Sequence, residues 1–152
     1  MLPGAVFLLK DTILKFSAFI TASALTLGLG NVAHAQLTTA AEVKPILDMT
    51  QANWVGVRVW DGQDLLYFSH LEAFRCGLAG VRYGINGAAP NEPYGLEACY
   101  EGTAAPNAMN PAEHPPYMAF PVGSVHSVTI QIKFDDGSIS EARFERAQIQ
   151  IQ

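Results

Sequence analysis

Few side chains in this sequence could do chemistry, and they are scattered. His70, His114 and His126 follow residue 35, and with Glu72 or Glu113 three imidazoles could hold a metal ion. None stands at a recognised ligand spacing, since neither HExxH nor HxH occurs. Ser69 adjoins His70, but the members of a hydrolytic triad meet in space rather than in sequence, and there is no GxSxG elbow. Asp61 and Asp64 flank one turn and Asp135 and Asp136 another. Aspartate favours turns because its carboxylate bonds the local backbone, and neither turn carries the alternating acidic ligands of a calcium loop. No catalytic, cofactor-binding or metal-ligating residue is therefore assigned.

The densest run of polar and aromatic types spans residues 70–87. Arg75 and Arg82 are two of only 7 basic residues after residue 35. Meeting near Asn86, they could grip a carboxylate in bidentate fashion; paired with Glu72, Glu97 or Glu101, they would only tie loops together. His70, Arg75, Arg82 and Asn86 are the binding candidates. His126 falls in phase with the apolar residues of a strand and reads as a buried, hydrogen-bonded core histidine. His114 lies in a proline-rich loop and reads as exposed. Trp54, Trp60, Tyr67, Tyr83, Tyr94, Tyr100 and Tyr117 could form a platform for a sugar or peptide, yet a small β domain also needs large residues in its core.

The elements that must position these residues begin after an export signal. Lys10 and Lys15 precede an apolar run, Phe16–Leu29, of about 14 residues, shorter than the ~20 that span a bilayer. Ala33 and Ala35 supply the small side chains of a cleavage site. Cleavage between Ala35 and Gln36 leaves residues 36–152, about 117 and thus one domain. That part has 7 Lys+Arg against 13 Asp+Glu. The acidic balance excludes nucleic acid and anionic membrane surfaces as partners, and no second apolar run is long enough for a transmembrane segment. The expected location is periplasmic or secreted. Cys76 and Cys99, an even pair in an exported chain, read as one disulfide; closing a loop of about 24 residues, it would add ~3 kcal/mol.

Thr39-Ala40-Ala41-Glu42 is a capping-box pattern, and apolar residues follow at helical spacing. A helix is predicted over 41–52, with Pro45 pushing its start toward Lys44. From Trp54 the period becomes two. Val55, Val57 and Val59 share one face; Trp54, Gly56, Arg58 and Trp60 share the other. Residues 54–69 read as a hairpin turning at Asp61–Asp64. Further strands are predicted at 78–83, 96–100 and 117–120, separated by loops at 88–95 and 101–116 rich in Pro, Gly and Asn. The clearest signal is a C-terminal hairpin from Val125, turning at 135–138. Its return strand slips phase at Glu145–Arg146, as a β-bulge would cause. The fold class is mainly β: a small antiparallel sandwich or partly open barrel of six or seven short strands, with one N-terminal helix and one disulfide.

The stretches Asn53-Trp54-Val55, residues 61–68, Arg75-Cys76-Gly77-Leu78 and residues 82–86 resemble a family of small secreted proteins of proteobacteria with no assigned activity. The resemblance implies export and the cysteine pair, and no site residues. Together these readings point to a non-catalytic secreted or periplasmic module that binds a protein or cell-envelope partner. The alternatives are a small exported enzyme using His70 or His126 with a carboxylate, and a structural envelope protein.

Overall fold

Helix α1 (Ala40–Met49) begins where the capping pattern puts it. The Glu42 carboxylate accepts the backbone N–H groups of Thr38 and Thr39, and Asp135, from the far end of the chain, accepts the N–H of Ala40 at 2.9 Å. In this computed structural model, which describes residues 36–151, Pro45 lies inside the helix rather than displacing its start. Two carboxylates at the N-terminus and the burial of Ala40, Val43 and Leu47 offset the hydrogen bond that Pro45 cannot make. The helix also ends sooner than predicted, and residues 51–53 form a 3-10 turn. The predicted export signal lies outside the described residues. Among those described, no helix is long and apolar enough to cross a membrane.

The described residues form seven strands in two antiparallel sheets, not closed into a barrel. The first sheet has the order β1-β2-β5, with β1 (Gly56–Trp60), β2 (Gln63–Tyr67) and β5 (Tyr117–Pro121). The second has the order β4-β3-β6-β7, with β3 (Leu78–Ile85), β4 (Glu92–Tyr94), β6 (Ser127–Phe134) and β7 (Ile139–Glu145). The β1–β2 turn is only Asp61-Gly62, both at positive φ (47° and 71°), the mirror-image turn that suits strand twist. Asp64 is therefore not a turn residue but sits inside β2. Residues 96–100 form no strand. The strand in that region is β4, inside the stretch that read as a loop, and it pairs with β3 alone. The C-terminal hairpin keeps one register from Ser127↔Glu145 to Lys133↔Ile139. Its phase slip is no bulge: β7 gives way to a helical turn, α3 (Arg146–Ile149), where Gln148 reaches back to the Glu145 N–H at 2.7 Å.

Buried side chains of both sheets and of α1 join one core, including Leu47, Val57, Leu66, Val81, Ile130 and Phe144. Trp54 is fully buried there, its indole N–H donating to the Leu47 carbonyl at 2.8 Å and its ring edge-on to Phe144.

One ion pair ties the first sheet to the turn that follows the second. Asp64 has no exposed surface. Arg146 grips it with two bonds, 2.6 and 2.9 Å, and also donates to the Val125 carbonyl. The Val125 N–H donates to the same carboxylate. The Arg146 guanidinium holds the Asp64 carboxyl well below the usual carboxylate range, against the opposing effect of burial. Removing one member of such a pair leaves a buried charge uncompensated, which costs about 3–5 kcal/mol. Because the folded-state pKa is depressed, the stabilisation is complete above the unfolded value of about 3.9 and is lost only as pH falls below it. Asp64→Asn should accordingly be about 3 kcal/mol less stable in urea at neutral pH. The gap should stay flat down to about pH 5 and narrow below about pH 4; a gap that widens with acid would contradict the assignment.

Candidate binding face and cleft

Two polar constellations stand out, one closed and one open. The closed one organises the long segment between β4 and β5. The helical turn α2 (Ser69–Glu72) and the 3-10 turn at 75–77 present Glu72, Arg75 and Cys76 to it. Arg75 is buried, and its planar fork donates to four carbonyls, those of Glu72, Ala98, Asn107 and Ala108, at 2.8–3.0 Å. The Glu72 carboxylate, fully buried, lies 3.9 Å from Arg75 Nε and accepts the Glu97 N–H. His114 Nε2 lies 3.2 Å from the same carboxylate. Burial works to raise the Glu97 pKa, but hydrogen bonds from the Tyr100 hydroxyl and the Asn110 N–H outweigh it and the net shift is downward. The Cys76–Cys99 disulfide crosses this region. Every charged group in the cluster is committed to the chain itself, so the cluster shapes a loop.

The sequence-selected residues do not gather into one site. Arg75 belongs to the closed cluster. Arg82 is exposed beside β4 and donates to the Asn91 carbonyl at 3.1 Å. Asn86, at φ 55°, holds a turn: its Oδ1 accepts the His126 N–H at 2.8 Å and its Nδ2 donates to the Ser124 carbonyl at 2.7 Å. His126 is exposed rather than a core residue, because it precedes β6 in that turn. His114 is half-buried over Glu72 rather than simply exposed. Of the described histidines, His114 alone pairs with a carboxylate. Among the described residues no group of three His, Cys, Asp or Glu side chains could hold a metal ion.

The open constellation is the outward face of the first sheet. Register sets three rows across it: Trp60, Gln63 and Pro121; Arg58, Leu65 and Ala119; Gly56, Tyr67 and Tyr117. The alternate residues Val57, Asp64 and Leu66 point into the core. Trp60 is 59% exposed and Tyr117 39%, yet Leu65 between them is only 6% exposed, so its neighbours on that face cover it. The Tyr67 and Tyr117 rings lie 5.2 Å apart. The Arg58 guanidinium rests 4.8 Å from the Trp60 ring centre. Trp54, Tyr83 and Tyr94 are core residues; the platform is Trp60, Tyr67 and Tyr117.

This face runs into a cleft of about 470 Å³ between the β1 edge and the segment after α3. Ile151 donates its N–H to the Val57 carbonyl at 2.8 Å, and the tip of its side chain occupies the space a Cβ on Gly56 would need, so a larger residue at 56 would push that tip aside. Asn53, Arg58, Tyr67, Ser69, His70 and Gln148 supply polar groups to the walls, which contain neither Asp nor Glu. Thr50 spends its hydroxyl proton on the Ile46 carbonyl, so His70 Nε2, 2.8 Å away, carries the proton of their bond and Nδ1 is the acceptor. Burial lowers the His70 pKa and favours this neutral form. Arg58 makes no ion pair among the described residues. The sequence candidates omitted it, although its place two residues before Trp60 in a strand puts both on one face.

No protein-family model matches the chain, and no curated protein or solved structure does either. Fold and surface define a small two-sheet β domain with one closed polar cluster and one open aromatic face.

Replacing Arg75 by Met should orphan four carbonyls and leave Glu72 beside Glu97 without their cation. The expected loss is about 3 kcal/mol or more in urea, with amide exchange accelerating first over residues 96–116. Unchanged protection in that segment would show that the disulfide alone holds it.

Proposed function

We propose that the domain is a non-catalytic binding module that works outside the cytoplasm and docks a protein or cell-envelope partner on the outward face of β1-β2-β5. The observation that carries this reading is the shared placement of Trp60, Arg58, Tyr67 and Tyr117 on one accessible surface. Trp, Tyr and Arg dominate the energetics of protein interfaces, because each combines a large apolar body with polar groups that can pair. An unburied Trp on a small domain leaves apolar surface that a partner can cover. The formed disulfide supports an oxidising compartment, and the signal-like N-terminus supports export. The resemblance to small secreted proteins belongs to the same proposal.

The face is tested by photo-crosslinking in the periplasm of cells making the full chain. A photoreactive phenylalanine analogue at position 60 should give discrete crosslinked species. The same group at Ile139, an exposed residue of the other sheet, should give none. Products from 139 and none from 60 would place the interface elsewhere.

A further inference from the structure

We infer that the cleft beside β1 receives a carboxylate of the ligand, with Arg58 as its charged anchor; this rests on the proposed binding face and names the chemistry that face recognises. The chain carries more acidic than basic residues, yet no acidic side chain lines this cleft and Arg58 is the cation in its walls. A guanidinium with no ion-pair partner among the described residues, lying on the Trp60 ring, keeps its N–H edge free and sacrifices less freedom when it meets a planar anion. A carboxylate offers about four lone-pair directions, and Arg can fill two of them side by side.

Neighbouring groups can meet the rest. The Gln148 Oε1 is occupied by the Glu145 N–H, so its amide NH₂ is the end left to donate. The Asn53 amide and the Tyr67 and Ser69 hydroxyls are further donors in the same walls. His70, held neutral by burial and by its bond to Thr50, adds no second charge. The volume of about 470 Å³ suits a group the size of one or two residues or one sugar ring. A peptide and a sugar acid present the same anion, and the probes separate them.

Protein recovered from expression of the full chain is titrated by NMR, following the Arg58 Nε–H and the Gln148 side-chain amide. The probes are acetyl-trialanine as free acid and as amide, and methyl glucuronide beside methyl glucoside. A carboxylate probe should shift both signals saturably, and its neutral counterpart should not. Response to the peptide acid alone assigns a peptide source; response to the glucuronide alone assigns a saccharide. Arg58→Gln should weaken binding at least ~10-fold while the buried Trp54 indole signal stays in place. Gln148→Glu, which sets an anion in the wall, should weaken it as well. No saturable shift with either acid, equal binding of acid and neutral forms, or full binding by both variants would overturn the inference. Crosslinking from position 60 without any carboxylate response would refute this inference alone, whereas loss of that crosslinking would refute the binding face itself.

Discussion

The Asp64–Arg146 pair is the constraint on which the rest of the structure depends. Asp64 points from β2 of the first sheet into the interior, and Arg146 stands where the second sheet ends and α3 begins. A carboxylate without exposed surface is tolerated only when its lone pairs are met. Here two guanidinium bonds and the Val125 N–H meet them. The consequence is geometric. Holding Arg146 against β2 brings the next residues to the edge of β1, where Ile151 bonds Val57 and Gln148 and Arg58 both line the cleft.

The polar chemistry divides accordingly into groups that are used up and groups that are not. Glu72, Glu97 and Arg75 are buried, and each is committed to backbone or to neighbouring side chains. They explain how a segment without regular structure between β4 and β5 is held in one arrangement. Arg58 and the Trp60, Tyr67 and Tyr117 rings lie on the surface instead, with no ion pair on Arg58 among the described residues. Most polar groups that a fold buries are satisfied within it. Groups left to water on an ordered surface are where recognition has room to act.

Much of the fold was legible in local pattern. Alternation from Gly56 to Tyr67 and from Ser127 to Glu145 produced both hairpins where they were read, and the Thr39–Glu42 box marked the start of α1. Two of the misreadings arise where long-range contacts outweighed local preference. β4 is three residues long, contains Pro93, and exists because β3 offers an edge. Pro45 is tolerated because Asp135, 95 positions away from Ala40, caps the helix. The third was local: the slip after Glu145 hid a second capping pattern, Glu145 to Gln148. The site was less legible than the fold. His70 does line the cleft, but Arg75 and Asn86 hold the chain's own backbone, and nothing local in the sequence ties Asp64 to a residue 82 positions on.

A double-mutant cycle of Asp64→Asn and Arg146→Met shows whether the two side chains act as one unit. Urea unfolding gives the stability of each single variant and of the pair, with exchange of the Ile151 N–H followed in parallel. The double variant should be no less stable than either single one, a coupling of about 2–3 kcal/mol, and both single variants should release Ile151 from β1. Additive losses with Ile151 still protected would mean that the two sheets and the cleft are held by the core alone.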